Sequence, residues 1–298
     1  MEEGRNDMNA TRMALVTGGS SGIGQGTALV LAEHGYDVAI TYSSNEEGAR
    51  ETQASIEALG RRCLVYQASL ELDGVAEGVV RRAHDELGRL DLLVSNAGRD
   101  QRNSVLTATR ADLQRIVDTN FIGYCMAAGE AARWMVRDGV AGSIIFVTST
   151  RGESPHPDDF VYGGIKAAIN RASQSMALDL SPYGIRVNCI APGATRVRPN
   201  RPPEGLKAGD IVNGRPFYPI EDSIPLGRMG VPRDTGELVA FLDEKGTYIT
   251  GMVIRVDGGL VLPPVPEWSA PMEWLNPAWV KRHRDAVLGT DAEQETGK

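Results

Sequence analysis

The stretch Thr17-Gly18-Gly19-Ser20-Ser21-Gly22-Ile23-Gly24 decides the fold of this chain. It follows a short apolar run, Met13–Thr17, that is predicted to form a strand, and it leads into a helix predicted over Gly22–His34. Glycines in such a turn let backbone N–H groups approach a ligand closely, and a helix N-terminus attracts an anion. A dinucleotide pyrophosphate fits this arrangement, so the pattern predicts an α/β dinucleotide-binding fold.

The rest of the chain alternates short β-branched runs with longer amphipathic stretches, which is typical of a parallel sheet covered by helices. Further strands are predicted over Asp37–Thr41, Arg62–Gln67, Leu90–Ser95, Ser143–Ser149, Ile185–Ile190 and Met252–Val256. Further helices are predicted over Asn45–Leu59, Gly74–Leu87, Arg110–Val136 and Tyr162–Leu180. Because right-handed crossovers join parallel strands, we expect a doubly wound, seven-stranded parallel sheet of the Rossmann-like α/β class, with helices on both faces.

The chain is predicted to hold one Rossmann-like domain, over residues 13–260, after a flexible N-terminal tail over residues 1–12. Within the domain, residues 193–230 are rich in Pro, Gly and Arg and lack periodicity, and long loops of this kind are usually functional. We expect this loop to bind substrate. A C-terminal extension over residues 261–298 carries three of the four tryptophans and a short helix that starts near Asn276. Such aromatic side chains are expected to pack against the domain or a neighbouring subunit.

The composition excludes several classes of protein. The 298 residues are 42% hydrophobic and 23% charged, which suits a globular protein rather than a disordered one. With 31 Lys and Arg against 39 Asp and Glu, the net charge of −8 argues against nucleic-acid binding. The three cysteines stand far apart without ligand spacing, so no metal site is predicted. Without a long apolar run or a recognisable leader, we expect a cytoplasmic protein with no membrane contact.

Tyr162 and Lys166 stand four residues apart at the start of a predicted helix, so their side chains project from the same face. A phenol with its ordinary pKa of about 10 is a poor acid or base at neutral pH, and a neighbouring ammonium lowers that pKa by stabilising the phenolate. The pair therefore predicts a general acid and base for hydride transfer. Ser149 follows the fifth predicted strand, and we expect it to hydrogen-bond the substrate oxygen at that edge of the sheet.

These residues, taken together in chain order, resemble the compact branch of the short-chain dehydrogenase/reductase family over about residues 13–260. The matching signals are Gly18-x-x-x-Gly22-x-Gly24, Asn96-Ala97-Gly98, Ser149, Tyr162-x-x-x-Lys166 and Pro192-Gly193. Within this family, the sequence is similar to the glucose 1-dehydrogenase and 3-oxoacyl reductase relatives. The resemblance implies an NAD(P)-dependent oxidoreductase that acts on a CH–OH or C=O group.

The resemblance also implies a catalytic set of Asn120, Ser149, Tyr162 and Lys166, in which Asn120 supports a water that connects the lysine to solvent. It implies a homotetramer or homodimer formed through the two long helices, with a small molecule as substrate. The cofactor-binding residues are predicted to be Gly18, Ser20, Ser21, Gly22, Ile23, Gly24, Tyr42, Ser43, Ser44, Ser69, Leu70, Asn96, Ala97, Gly98, Tyr162, Lys166, Pro192, Gly193 and Thr195.

The end of the second predicted strand bears on the choice of dinucleotide. A carboxylate there would bind the ribose hydroxyls of NAD, but the chain has Tyr42 at this place and Asp37 at the opposite end of the strand. Ser43 and Ser44 can donate hydrogen bonds to a 2′-phosphate. We therefore expect NADP(H) to be preferred and leave NAD(H) open, because no Arg or Lys stands beside these serines.

Arginines gather in the segments that follow the strand ends, and substrate binding is predicted for Ser149, Arg99, Arg102, Arg151, Arg196 and Arg198. Guanidinium groups bind carboxylates and phosphates through paired hydrogen bonds, which favours an anionic substrate such as a sugar acid. The alternative is that these arginines pair with nearby acids or with cofactor phosphate, and the sequence leaves both open.

A sugar or sugar acid is the preferred substrate class. The alternatives are a 3-oxoacyl or general carbonyl reductase, and a non-catalytic regulator that senses a dinucleotide. Relatives that serve an acyl carrier often place Arg where this chain has Tyr183, which lowers the rank of the acyl substrates. The intact Ser149, Tyr162 and Lys166 argue against the regulator, because a sensor does not need an activated phenol.

Overall fold

The computed structural model describes residues 11–100, 104–197, 211–212, 215–216 and 219–262, with Lys281, Arg284 and Leu288 beyond them. Nine strands lie in this part of the chain: β1 (Met13–Val16), β2 (Asp37–Tyr42), β3 (Cys63–Gln67), β4 (Leu92–Ser95), β5 (Ser143–Val147), β6 (Arg186–Pro192), β7 (Ile211–Val212), β8 (Arg215–Pro216) and β9 (Val253–Val256). Seven of them form one parallel sheet in the order β3-β2-β1-β4-β5-β6-β9, which confirms the predicted Rossmann-like class. The other two, β7 and β8, form an antiparallel hairpin inside the long loop, where the sequence predicts no strand.

Alternate residues of each strand face opposite sides of the sheet, and both sides are buried. Leu15 and Phe146 belong to the core on one side, and their neighbours Val16 and Val147 belong to the core on the other. Burying one side chain of this size contributes roughly 1.5–3 kcal/mol. Burial on both faces explains why the strands read as unbroken apolar runs rather than as alternating ones.

Seven α-helices flank the sheet in the described residues: α1 (Gly22–Glu33), α2 (Glu46–Ala58), α3 (Val75–Leu87), α4 (Arg110–Val117), α5 (Gly123–Asp138), α6 (Phe160–Leu180) and α7 (Pro232–Glu244). The sequence prediction does not include α7. This helix starts with Pro232, and the Asp234 carboxylate accepts a hydrogen bond from the Val231 N–H at 2.8 Å. Gly26 of α1 lies against Pro232, where a Cβ would overlap the proline, so the two helices pack closely.

The helix predicted over Arg110–Val136 is helical throughout, but it is not one regular α-helix. A π-helical turn over Asp118–Ile122 separates α4 from α5. Hydrophobic periodicity does not reveal one added residue per turn, although such turns recur at functional sites. The turn contains the buried Asn120, whose side-chain amide bonds to the backbone N–H and carbonyl of Arg99, both at 2.9 Å. The interruption therefore fixes the segment that follows β4 against the helix.

The fifth strand ends at Val147, before its predicted end at Ser149. Ser149 instead begins a short 3₁₀ turn over Thr150–Gly152, and its hydroxyl accepts a hydrogen bond from the Arg151 N–H at 3.2 Å. The Ser149 carbonyl also accepts a hydrogen bond from the Gly152 N–H at 3.0 Å, so the serine belongs to this turn rather than to the strand. The serine still lies at the carboxyl edge of the sheet, as the sequence analysis expects.

The predicted extension over residues 261–298 falls mostly outside the described residues, as do residues 1–10 of the predicted N-terminal tail. Lys281, Arg284 and Leu288 have helical backbone, at positions inside the short helix that the sequence predicts. In the part of the chain that the structure describes, we find no helix with the length and apolar character needed to span a membrane.

Candidate active site

The glycine turn is held in place by hydroxyl groups from two neighbouring strand ends. The Gly18 N–H donates to the Thr41 hydroxyl at 3.0 Å. The Thr17 hydroxyl accepts hydrogen bonds from the backbone N–H groups of Asn96 at 2.9 Å and Ala97 at 3.0 Å. These bonds connect the turn to β2 and to the Asn96-Ala97-Gly98 segment, so the predicted cofactor residues of β1 and β4 come together.

The turn has the geometry that a pyrophosphate needs. Gly18 and Gly22 have φ values of +69° and +56°, in the left-handed region that favours glycine. A Cβ on Gly18 would lie 2.8 Å from the Ala97 Cα, so the close approach also depends on a missing side chain. Ser21 precedes α1 without making a side-chain cap, which leaves the first N–H groups of the helix for a ligand. The residues present therefore fit a dinucleotide.

A cleft of about 670 Å³ runs along the carboxyl edge of the sheet from the glycine turn to Lys166. Its lining includes most of the predicted cofactor residues, namely Gly18, Ser20, Ser21, Gly22, Ile23, Tyr42, Ser43, Ser44, Leu70, Asn96, Ala97, Gly98, Tyr162 and Lys166. The sequence analysis missed Thr41, Asn45, Ala68, Glu71, Asp100, Thr119, Val147, Thr148 and Val197. Several of these adjoin predicted residues at the strand ends, so position along the strand is the signal that could have found them.

The other predicted cofactor residues lie beside this lining. Gly24 packs on the Gly18 carbonyl. The Ser69 hydroxyl is 3.4 Å from that of Ser43. Pro192 ends β6, and the Thr195 hydroxyl donates to the Gly193 carbonyl at 3.3 Å. A cofactor role for these residues stays a prediction.

Lys166 is buried at the end of the cleft opposite to the glycine turn. Its Nζ donates to the Val147 carbonyl at 2.9 Å and to the Tyr124 hydroxyl at 3.4 Å. It also lies 5.6 Å from the centre of the Tyr162 ring. Burial lowers the pKa of Lys166 to about 8, although the neighbouring Cys189 thiol raises it. The lysine therefore still carries its charge at neutral pH, and its midpoint lies closer to neutral pH than that of an exposed lysine.

Tyr162 does not show the acidic phenol that the sequence analysis expects. Burial raises the pKa of Tyr162 to about 12, and the Asp100 carboxylate raises it as well. A hydrogen bond with the Ser149 side chain and the charge of Arg151 act in the opposite direction. The physical reason for the correction is that desolvation of the phenolate outweighs these groups, while the Lys166 ammonium is bound to a strand carbonyl.

The described arginines among the predicted substrate residues each pair with an acid. Arg99 bonds to Glu71 at 3.1 Å and Arg196 to Glu221 at 2.9 Å. The Arg151 guanidinium lies 3.2 Å from the buried Asp159 carboxylate and 3.5 Å from that of Asp100. Arg102 and Arg198 lie outside the described residues. These pairs agree with the alternative of local ion pairing, and anion binding stays a prediction.

Comparison with known proteins supplies the family. Residues 18–261 match a family model described as Enoyl-(Acyl carrier protein) reductase. A crystal structure of acetoin dehydrogenase YohF from Salmonella typhimurium superimposes with a TM-score of 0.77 and 33% identity, over 88% of this chain and 100% of that one. The chain belongs to the short-chain dehydrogenase/reductase family.

Two further members of the family are similar to the chain over most of its length. L-rhamnose 1-dehydrogenase (NAD(P)(+)) of Sphingomonas sp. is 33% identical over 250 residues, which are 84% of this chain and 96% of that protein. A short-chain dehydrogenase from Burkholderia cenocepacia, solved in complex with NADP, has a TM-score of 0.73 and 32% identity, over 84% of this chain and 97% of that one. The protein is accordingly an NAD(P)-dependent oxidoreductase. This finding favours the enzyme over the alternative of a non-catalytic regulator.

Proposed function

We propose that the protein transfers a hydride between NADP and a CH–OH or C=O carbon of a small polar substrate, with a sugar or sugar acid as the substrate class. The observation that carries this proposal is that Tyr162 and the buried Lys166 line one end of the dinucleotide-sized cleft, where the Ser149 side chain hydrogen-bonds with Tyr162. A proton-transfer group therefore lies beside a hydrogen-bond donor, as the reaction requires.

The chain's own residues move the proton. In alcohol oxidation, Tyr162 takes the hydroxyl proton while the electron pair of the carbon-bound hydrogen leaves as hydride, and in carbonyl reduction Tyr162 returns the proton. Ser149 donates a hydrogen bond to the substrate oxygen, and the Lys166 ammonium stabilises the Tyr162 phenolate. A nicotinamide dinucleotide held along the glycine turn and the cleft would supply the hydride acceptor or donor, and the positive charge of its oxidised form would favour the Tyr162 phenolate.

A preference for NADP(H) is supported by the cleft wall that follows β2. The last residue of β2 is Tyr42, at the position where a carboxylate would repel a 2′-phosphate. Ser43 and Ser44, which follow it, line the cleft. Asn45 caps α2 by accepting from the Gly48 N–H at 3.2 Å, so its side chain is already engaged. NAD(H) is the alternative cofactor.

The substrate class is supported by the polar surroundings of Tyr162. Arg99, Asp100 and Thr148 line the cleft together with Tyr162, and such groups suit a substrate with several hydroxyls. The similarity to L-rhamnose 1-dehydrogenase favours a sugar. The similarity to acetoin dehydrogenase favours a second candidate, a small hydroxyketone or ketone. Both candidates place a carbinol next to a second oxygen-bearing carbon.

A substrate panel tests the proposal. NADP⁺ or NAD⁺ is mixed with the protein and with L-rhamnose, D-glucose, D-glucuronate or acetoin, and NADPH is mixed with diacetyl or acetoacetyl-CoA, while the absorbance of reduced nicotinamide is followed. We expect the highest kcat/KM with a sugar or uronate and NADP⁺. Turnover of acetoacetyl-CoA alone, or of no compound, would contradict the proposal, and turnover of acetoin or diacetyl alone would select the second candidate.

We also propose that the protein assembles as a homodimer or homotetramer through α5 and α6. Met126 of α5 and Phe160 of α6 are exposed apolar side chains on these helices. Light scattering of the purified protein is expected to give two or four times the chain mass of 32.1 kDa, and a monomer would contradict this proposal.

A further inference from the structure

Tyr124 is a buried tyrosine in the first turn of α5, next to the π-helical turn. It is 1% exposed, and its ring stacks on Phe146 with 5.9 Å between the ring centres. Its hydroxyl donates to the Val147 carbonyl at 3.4 Å. The proposed reaction gives this phenol no task, yet a polar group of this size is rarely buried in a core without one.

The Tyr124 side chain contacts Lys166 more closely than Tyr162 does. The Lys166 Nζ lies 4.9 Å from the centre of the Tyr124 ring and 5.6 Å from the centre of the Tyr162 ring. The Nζ also donates to the Tyr124 hydroxyl at 3.4 Å. The Tyr124 hydroxyl thus accepts from the Lys166 ammonium and donates to the Val147 carbonyl, so it links the ammonium to the same carbonyl that the ammonium contacts directly.

The groups that face Lys166 from the surrounding elements are mostly neutral. They are the Val147 carbonyl from β5, the Tyr124 phenol from α5, the Tyr162 phenol from α6 and the Cys189 thiol from β6. The hydrogen bonds that the structure shows for Lys166 reach a carbonyl and a phenol rather than a carboxylate. A buried ammonium needs such acceptors and an aromatic face to keep its proton.

We propose that Tyr124 is a positioning residue for Lys166, whose hydroxyl and ring face keep the ammonium charged and directed at the site of Tyr162. The catalytic consequence rests on the proposed function, because the charge on Lys166 matters to turnover only if Tyr162 exchanges a proton. The contact itself stands independently of the substrate.

Direct titration of Lys166 tests this inference. The chain has five lysines, Lys166, Lys207, Lys245, Lys281 and Lys298, so protein labelled with ¹³Cε-lysine gives few NMR signals. Lys166→Arg identifies the Lys166 signal by its disappearance. The titration is then repeated with Tyr124→Phe, which removes only the hydroxyl, and with Tyr124→Leu, which removes the ring face as well. Tyr66→Phe is the matched control, because Tyr66 is buried in β3 away from the cleft lining.

We expect the Lys166 pKa to be about 8 in the unaltered protein. Tyr124→Phe should lower it by roughly half a unit, because one long hydrogen bond to a charged group is lost. Tyr124→Leu should lower it by more than about one unit, because the cation–π contact is lost too. Tyr66→Phe should leave it unchanged. In turnover of the best substrate, the alkaline limb of kcat should move to lower pH by the same amount, with KM unchanged.

An unchanged Lys166 pKa in Tyr124→Phe would overturn the proposal, and so would an equal change in Tyr66→Phe. If Tyr124→Leu does not fold, Tyr124→Phe decides alone, since phenylalanine keeps the stacking on Phe146. Failure of the substrate panel would contradict the proposed function while leaving the NMR titration interpretable. A lowered Lys166 pKa combined with an unmoved kcat profile would overturn the link between Tyr124 and the reaction.

Discussion

The Lys166 ammonium donates to the Val147 carbonyl at 2.9 Å, so the last residue of β5 holds the charge that serves the candidate active site. Val147 is the last residue of β5, and a short turn begins two residues later at Ser149. The fold therefore fixes the position of the ammonium by the sheet rather than by the phenol that it serves. This arrangement keeps the charge in place at a cost in stability, since the lysine is 3% exposed.

Lys166→Met should stabilise the folded protein at pH 7 while removing turnover. At that pH the lysine is protonated in both the folded and the unfolded states. Burial lowers its pKa from an ordinary 10.5 to about 8 in the folded state, so folding disfavours the charge by roughly 3 kcal/mol. Methionine fills similar space without charge, although the Val147 carbonyl loses a donor, so we expect a net gain of about 1–2 kcal/mol in the free energy of unfolding.

The pH dependence of that gain is a check on its origin. Between pH 8 and 10.5 the unfolded state binds more protons at Lys166 than the folded state, so the stability of the unaltered protein rises there. The advantage of Lys166→Met should therefore shrink between pH 7 and pH 10 in urea denaturation. Burial raises the pKa of Tyr162 to about 12, and loss of the ammonium would raise it further, so this phenol keeps its proton in both folded proteins over this pH range. A variant that is less stable at pH 7, or an advantage that grows with pH, would refute the account.

Tyr42→Asp should shift the cofactor preference towards NAD. A carboxylate at this end of β2 accepts hydrogen bonds from ribose hydroxyls and repels a 2′-phosphate. We expect the ratio of kcat/KM for NADP⁺ to that for NAD⁺ to fall by about tenfold or more, which corresponds to roughly 1.4 kcal/mol. Asp37→Asn is the control, because Asp37 lies at the opposite end of β2 and pairs with Arg61 at 2.6 Å. An unchanged ratio in Tyr42→Asp would contradict the proposal that the 2′-phosphate of NADP binds beside the end of β2.

Arg102→Gln and Arg198→Gln test whether the substrate is anionic. If these guanidinium groups bind a carboxylate, each variant should raise KM for a uronate by about tenfold and leave KM for the neutral parent sugar unchanged. Arg50→Gln serves as the control, because Arg50 is an exposed residue of α2 that pairs with Glu46 at 3.5 Å. An equal rise in KM for charged and neutral sugars would exclude the anionic reading.

The fold and the glycine turn could be predicted because their signals are local. A strand that is buried on both faces has an apolar run whatever its neighbours are, and a turn that approaches a ligand needs glycine at fixed positions. Gly18 and Gly22 have the positive φ values that their residue type suggests. The π-helical turn at Asn120 could not be predicted, because one added residue hardly disturbs the apolar pattern of a long helix.

Contacts between distant segments could not be predicted from spacing. Arg99 and its partner Glu71 stand 28 residues apart, and Lys166 and Tyr124 stand 42 apart, so only the folded sheet brings each pair together. Spacing correctly suggested that Tyr162 and Lys166 are neighbours. Spacing gives no measure of burial. The sequence analysis therefore expects the pKa of Tyr162 to be lowered, whereas burial raises it.

The central claim is that the Tyr162 hydroxyl exchanges the proton while the nicotinamide exchanges the hydride. Tyr162→Phe tests it most directly, because phenylalanine keeps the ring and removes only that hydroxyl. With the best substrate of the panel, the account predicts that kcat falls by about a thousandfold, while the variant still binds NADPH and keeps the thermal midpoint of the unaltered protein. A folded Tyr162→Phe variant that binds NADPH and retains its turnover would contradict the account.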